Sequence, residues 1–302
     1  MIRAVLFDLD DTLYDQRAWL AGAWEVVAVA ATTSGVPAAE MAPALGEIAA
    51  EGSDRGRIID RALERVGWAG VPVEPLVRAF RSHAPGRLAC FPGVPAALAQ
   101  LRARCPIGLV SDGDPGIQRA KLAALGLSDA FDVVVLSDEL GRQYRKPHPA
   151  PFLAALAGLG VGPAEALFVG DRPDKDVAGA AAAGMSCVRV LTGEYAGLPD
   201  AVMPFARVAG VADAVAHIET LLCAGSVDPR RLRRRGSGSD RECSEPPALT
   251  EIAGFPELAT ASGGGMLKSD LPTVAQAEDG PHGDGGASLA SFLPGDGHEL
   301  RL

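Results

Sequence analysis

Aromatic side chains are scarce in this chain. Phe, Trp and Tyr make up only 5% of its 302 residues, so composition offers no aromatic surface from which to argue for a docking partner. No run is long and uncharged enough to cross a bilayer. The most apolar stretch, residues 18–31, is shorter than the roughly 20 residues a membrane helix needs and carries Glu25. No secretory leader is expected either, because a strand-like apolar run already starts at residue 2. Cysteine is sparse: Cys90, Cys105, Cys187, Cys223 and Cys243 are odd in number and show no paired-ligand spacing. That argues against a zinc site or a disulfide framework and fits free thiols in a reducing cytoplasm. Positive charge is in deficit too, with 28 Lys and Arg against 38 Asp and Glu and a formal charge of −10, which argues against nucleic acid as a partner. What remains is a chain that is 48% hydrophobic and long enough to bury a sizeable core.

The most informative segment is Phe7-Asp8-Leu9-Asp10-Asp11-Thr12-Leu13, which follows the apolar run at residues 2–6. Extended backbone alternates its side chains, so Asp8 and Asp10 point to one side at the mouth of a sheet. Two carboxylates in one small space call for a cation. A hard ion such as Mg²⁺, which takes one or two carboxylates plus phosphate oxygens, suits them better than zinc.

Three further apolar runs behave alike. Residues 106–110 stop at Ser111-Asp112-Gly113, and residues 132–136 are followed by a loop and Lys146-Pro147-His148-Pro149. Residues 166–169 stop at Gly170-Asp171-Arg172-Pro173-Asp174-Lys175-Asp176. Helix-period segments at 94–104, 115–125 and 149–159 separate them, with prolines favouring a helix start after Lys146. Strand alternating with helix predicts a doubly wound, mainly parallel, Rossmann-like α/β sheet covered on both faces. Ligands of such sheets sit at the carboxyl ends of the strands, where these polar residues fall.

This ordered set resembles the haloacid dehalogenase-like hydrolase superfamily, most of whose members are Mg²⁺-dependent phosphatases. The likeness covers roughly residues 1–222. The first motif stands as Asp8-Leu9-Asp10-Asp11-Thr12, the second as Ser111, the third as Lys146-Pro147, and the fourth as Gly170-Asp171 with Asp176. Asp174 is the alternative for the last acid. The resemblance implies that Asp8 is a nucleophile forming an aspartyl-phosphate, and that Asp10 is general acid and then general base. It implies Mg²⁺ held by Asp8, the main-chain carbonyl of Asp10 and Asp171. Ser111 and Lys146 would bind phosphate together with main-chain N–H groups near Leu9 and Asp112, and Asp176 would play a supporting part. Thr12 and His148 are read as turn and helix-start residues.

Residues 14–88 are too long for a simple connection and rich in helix formers, with helical spacing at 19–29 and 58–66. About four helices are expected, and by resemblance they form a cap that restricts substrates to small phosphorylated metabolites. Arg17, Trp19, Trp24, Arg55 and Arg57 could contact substrate there, although cap core for the tryptophans and solvent for the arginines is the favoured reading. The expected division is therefore a catalytic core of residues 1–13 and 89–224, a helical cap of 14–88, and a disordered tail of 225–302. Residues 226–302 hold 12 Gly and 7 Pro and include the basic cluster Arg230-Arg231-Leu232-Arg233-Arg234-Arg235.

The expected activity is Mg²⁺-dependent hydrolysis of a small phosphomonoester of the sugar phosphate, phosphoglycolate or nucleotide type. A phosphomutase, a 2-haloacid dehalogenase and a non-catalytic binding module of the same fold are the alternatives. Dehalogenases of this fold lack an acid two residues after the nucleophile, so Asp10 favours phosphate chemistry. Oligomeric state is open.

Overall fold

The computed structural model describes residues 1–52 and 55–224. The expected tail at 225–302, with its basic cluster, lies outside the described residues. Among the described residues six parallel strands form one sheet in the order β3-β2-β1-β4-β5-β6. They are β1 (Ala4–Phe7), β2 (Ile107–Ser111), β3 (Val133–Leu136), β4 (Ala166–Gly170), β5 (Ser186–Val190) and β6 (Ala206–Val208). Among the described residues ten α-helices intervene or follow: α1 (Gln16–Ala31), α2 (Ala38–Ala50), α3 (Ile58–Arg65), α4 (Glu74–Arg81), α5 (Val94–Arg102), α6 (Pro115–Ala124), α7 (Ser137–Leu140), α8 (Ala150–Leu159), α9 (Ala178–Ala182) and α10 (Val211–Ala224). The fold is thus a parallel α/β Rossmann-like core with an inserted helical region, α1 to α4, between β1 and α5.

The central strands are apolar throughout because both faces are covered. Val5, Phe7, Ile107, Leu109, Leu167, Val169, Val188 and Val190 turn to one face, where their core runs on into the inserted helices through residues such as Trp19, Val27, Leu45 and Phe80. Ala4, Leu6, Val110, Ala166, Phe168 and Cys187 turn to the other, against Phe152, Leu156 and Ala180 of α8 and α9. The chain leaves β1 to build β2 and β3 on one side and then crosses back to β4 on the other. This reversal opens a crevice above the carboxyl ends of β1, β2 and β4.

Two elements differ from the sequence reading. The segment after β3 is not a plain loop but contains α7 and a 3-10 turn at Arg142–Tyr144, braced by a two-bond Arg145–Asp138 ion pair at 2.5 and 2.6 Å. The strands β5 and β6 extend the sheet beyond the four that were expected. The mid-strand Arg189 of β5 is buried and caged by the carbonyls of Asp171, Leu198 and Tyr195 and by the Asp200 carboxylate.

Gly170, the last residue of β4, illustrates how tightly the sheet end is built. A Cβ there would lie 2.5 Å from Cγ and Oδ2 of Asp176. Gly170→Ala is expected to push Asp176 out of place and destabilise the protein by about 1–3 kcal/mol. Gly46→Ala in α2, where a Cβ meets nothing within 4 Å, should instead stabilise by about 0.5–1 kcal/mol. Denaturant melts of the two variants check the contrast.

Candidate active site

The sheet delivers Asp8 one residue past β1. Its N–H donates to the carbonyl of Val169 at 2.9 Å, so pairing with β4 holds the backbone right up to the carboxylate. Leu9 is buried and its carbonyl accepts from Leu13 N–H at 2.9 Å, closing a turn over residues 9–13. Asp11 takes the left-handed conformation in that turn, with φ of 58°. For a residue with a Cβ this needs support, and it comes from Gln16 N–H to Asp11 Oδ1 at 2.9 Å and from the Thr192 hydroxyl donating to the Asp11 carbonyl. Gly193 lies against it, where a Cβ would sit 2.3 Å from that of Asp11.

Lys146 is buried and joins two acids. Its ammonium donates to Asp8 Oδ1 and, at 2.8 Å, to Asp176 Oδ1. Burial alone would push the Lys146 pKa down, but the charges of Asp176, Asp8 and Asp112 carry it well above the ordinary lysine range. Asp176 stands on a widened helical turn at Pro173–Val177 and is fully buried, its other oxygen accepting from Arg172 N–H at 2.9 Å. Asp174 instead faces outward, paired with Arg172. Of the two candidate acids of the last motif, Asp176 is therefore the one beside Lys146.

Burial pushes the Asp8 carboxyl up to about 7, against the opposing pull of Lys146, with the charges of Asp176 and Asp10 adding to the rise. Asp171 is also buried. Thr12 Oγ1 lies 3.2 Å from Asp8 Oδ2 and 3.3 Å from Asp171 Oδ1, while Asp171 Oδ2 has no hydrogen-bond partner. Thr12 thus ties the two acids together rather than merely ending a turn. Ser111, at the end of β2, accepts from Gln118 Nε2 at 2.6 Å, which leaves its own proton available. The Asp112 side chain accepts from Ser137 Oγ at 2.7 Å and from Lys146 N–H at 3.1 Å. It orders the lysine segment, so any contact from Asp112 to a phosphate would come from its main chain.

Asp10 shows what sequence reasoning missed. Tyr14 Oη and Lys121 Nζ donate to its Oδ1 at 2.6 and 2.7 Å, and Gln118 Nε2 donates to its Oδ2 at 2.8 Å. Burial raises the pKa of this carboxyl, but the Lys121 ammonium and the three donors outweigh it and leave Asp10 below the usual carboxylate range. In this arrangement Asp10 is a carboxylate. Gln118 and Lys121 are three apart on α6, so they share one helix face. That face points at the end of β1 rather than at water, and both residues are buried.

Asp8, Asp10, Ser111, Asp112, Gln118, Lys121, Lys146 and Asp171 border one cavity of about 550 Å³, whereas Thr12, Tyr14 and Asp176 stand behind its lining. Trp19 and Trp24 of α1 line it too, and each packs on Phe80 of α4, with ring centroids 5.1 and 4.8 Å apart. They serve both as helical core and as cavity wall. Arg17 is exposed and paired with Asp15, and Arg55 and Arg57 pair with acids of their own neighbourhood. None of the three is among the cavity residues. His148 is exposed and accepts from Ala150 N–H at 3.1 Å, at the start of α8.

The model of the haloacid dehalogenase-like hydrolase family matches residues 2–184. The chain belongs to that family. It is similar to the glyceraldehyde 3-phosphate phosphatase of Methanopyrus kandleri, with 38% identity over 203 residues, 65% of this chain and 86% of the relative. It is also similar to the phosphoglycolate phosphatase of Yersinia pestis, with 36% identity over 202 residues, 64% of this chain and 82% of the relative. The crystal structure of a 2-haloacid dehalogenase from Pseudomonas syringae superposes with a TM-score of 0.52 and 27% identity, covering 73% of this chain and all of that one. Among these haloacid dehalogenase-like hydrolases the chain is of the phosphatase type, a phosphoric monoester hydrolase. No helix among the described residues is long and apolar enough to cross a membrane.

The family implies a divalent cation, and the side chains present fit one. Single carboxylate oxygens of Asp8, Asp171 and Asp176 lie within 4.8 Å of one another. Asp171 Oδ2 is buried without a donor, and burial together with the negative charges of Asp176 and Asp8 drives the Asp171 carboxyl well above its ordinary range. Buried, mutually repelling hard oxygens are the donor set that a divalent ion relieves.

This repulsion has a measurable sign. A carboxyl whose folded pKa is raised costs no stability below its unfolded value near 3.8. It becomes increasingly destabilising as pH rises from there toward the folded value, because unfolding then releases the proton. At neutral pH in chelator, Asp171→Asn should therefore melt higher than the unmodified chain, by roughly 2–10 °C. Mg²⁺ should raise the melting temperature of the unmodified protein but not that of the variant. Calorimetric scans with and without Mg²⁺ check both statements.

Proposed function

We propose that the protein is a Mg²⁺-dependent phosphatase of small phosphomonoesters that works through an aspartyl-phosphate on Asp8. The observation that carries this reading is the buried Lys146, which touches both Asp8 and Asp176 at the floor of a cavity that Ser111, Asp10 and Asp171 also border. The similarity to phosphatases of glyceraldehyde 3-phosphate and phosphoglycolate supports a small phosphorylated metabolite. In this reading residues 1–13 and 89–224 are the catalytic core and 14–88 the cap. The free thiols of Cys90, Cys105 and Cys187 suit a reducing compartment such as the cytoplasm.

Asp8 would attack phosphorus in line as a carboxylate, held close by Lys146, whose charge opposes the rise in pKa that burial imposes. Asp8, Asp171 and the main-chain carbonyl of Asp10 would hold Mg²⁺, whose charge, when bound, offsets the repulsion between an anionic nucleophile and an anionic ester. Asp176 would fix Lys146, whose third donor makes only a long 3.5 Å bond to the Val110 carbonyl and would turn from it to a phosphate oxygen. Ser111, accepting from Gln118, would donate its hydroxyl proton to another. Asp10 is held in its base form, the one needed to draw a proton from the water that cleaves the acyl phosphate. Protonating a departing alkoxide asks more of it, since the Lys121 ammonium and the bonds from Tyr14 and Gln118 favour its charged form. The inserted helices would limit bulk water during transfer.

An acid two residues beyond the nucleophile separates this chemistry from halide displacement, in which the leaving group takes no proton. The test is hydrolysis of an aryl and an alkyl phosphate with and without Mg²⁺. Asp8→Asn is expected to abolish both activities. Asp10→Asn is expected to cost roughly 100-fold or more on the alkyl ester and markedly less on the aryl ester, whose leaving group needs little protonation. Turnover that survives Asp8→Asn, or equal losses on the two esters in Asp10→Asn, would refute these roles.

A further inference from the structure

Arg189 is a buried charge for which the chemistry above has no use. It stands in β5, opposite Gly170 at the end of the pairing with β4. A guanidinium is tolerated out of water when its five N–H donors are satisfied, and here each has an acceptor. Nε donates to the Asp171 carbonyl at 3.1 Å. The other four donors turn to a different segment. Nη1 reaches the Leu198 carbonyl at 2.8 Å and Asp200 Oδ1 at 2.7 Å, and Nη2 reaches the carbonyls of Tyr195 and Ala196 at 2.7 and 3.5 Å. The Asp200 side chain is buried with it and accepts from Arg207 as well.

Both prongs of this fork end on parts of the site. Asp171 is the first residue past the β4–β5 ladder. Its carboxylate accepts one long bond, 3.3 Å from Thr12 Oγ1, and its other oxygen has no partner, so the hold on its main chain decides where that oxygen lies. The segment 192–200 in turn lies against residues that follow the nucleophile and Asp171. The Thr192 hydroxyl donates to the Asp11 carbonyl, and Glu194 N–H lies 3.4 Å from Asp11 Oδ2. The Tyr195 ring stacks on Arg172, with the guanidinium carbon 3.7 Å from the ring centre.

We propose that Arg189 is a positioning residue for the metal site, fixing the main chain of Asp171 and tying it to the 192–200 segment that braces the turn after Asp8. The proposal rests on the reading in which Asp171 holds Mg²⁺. The planar fork is what suits the task. A lysine would keep a positive charge beside Asp200, but a compact ammonium with three donors cannot serve the two segments together.

The test titrates Mg²⁺ into the full-length chain by calorimetry, unmodified and carrying Arg189→Lys. Val215→Ala, a cut in the buried face of α10 away from the cavity lining, controls for lost stability, and turnover of an aryl phosphate by the unmodified chain is followed in parallel. Arg189→Lys is expected to weaken Mg²⁺ binding about tenfold or more, whereas Val215→Ala should lower the melting temperature and leave Mg²⁺ affinity unchanged. In the unmodified chain Mg²⁺ should also slow hydrogen exchange of the amides at 195–200, although no proposed metal ligand lies there. Unchanged affinity in Arg189→Lys, or equal weakening in both variants, overturns the role even if the aryl phosphate is hydrolysed. Should Arg189→Lys fail to fold, exchange at 195–200 that Mg²⁺ does not slow overturns it as well. Arginine-dependent Mg²⁺ binding in a chain that fails to turn over the aryl phosphate upholds the role and defeats the phosphatase reading instead.

Discussion

A single buried ammonium organises the site. Lys146 lies between Asp8 and Asp176, inside a protein that has removed all three charges from water. Breaking a buried pair by removing one partner leaves an uncompensated charge, typically at a cost of about 3–5 kcal/mol, so the positions of these residues are linked. Asp176 must turn inward, which the widened turn at Pro173–Val177 achieves, and Gly170 must lack a Cβ to make room for it. The lysine segment must be held at its backbone, which Asp112 does. Even so, the cluster keeps a surplus of negative charge at Asp8 and Asp171. That surplus marks where a divalent cation belongs.

Around this centre a second network fixes Asp10. Tyr14, Gln118 and Lys121 supply three donors to one carboxylate, and Gln118 also reaches Ser111, so the groups proposed to handle the proton and the phosphate are mechanically joined through α6. The Lys121 ammonium lies 4.6 Å from the centre of the Trp19 ring, which carries the connection from the sheet end into the inserted helices. Motion of those helices would thus be felt at Asp10, not only at the mouth of the cavity.

Much of this was legible in the sequence, and the limits have physical causes. Asp8, Ser111 and Asp171 were readable because each ends a short apolar run, and the end of a buried parallel strand is where a polar residue is most conspicuous. Lys146 was readable from its Lys-Pro setting. Gln118, Lys121 and Tyr14 were not, because polar residues at helical spacing usually mark a solvated face, and only the packing of α6 against the end of β1 reverses that inference. The strand β5 was obscured by Arg189, a charge in mid-strand that is buried only because a ring of carbonyls and Asp200 receives it. At three residues, β6 is too short to show a period. Asp174 and Asp176 could not be told apart by spacing, since the choice depends on a local widening of the helix.

The central claim is that the carboxylate at position 8 carries the phosphoryl group in transit. It is tested most directly by mixing the full-length chain with an aryl phosphate and Mg²⁺, quenching in acid within the first turnovers, and locating the bound phosphoryl group by peptide mass spectrometry. The account predicts an acid-stable, base-labile phosphoryl group on the peptide containing Asp8, and none when Mg²⁺ is withheld. Steady turnover with no phosphorylated protein, or with the phosphoryl group on any other residue, would contradict it.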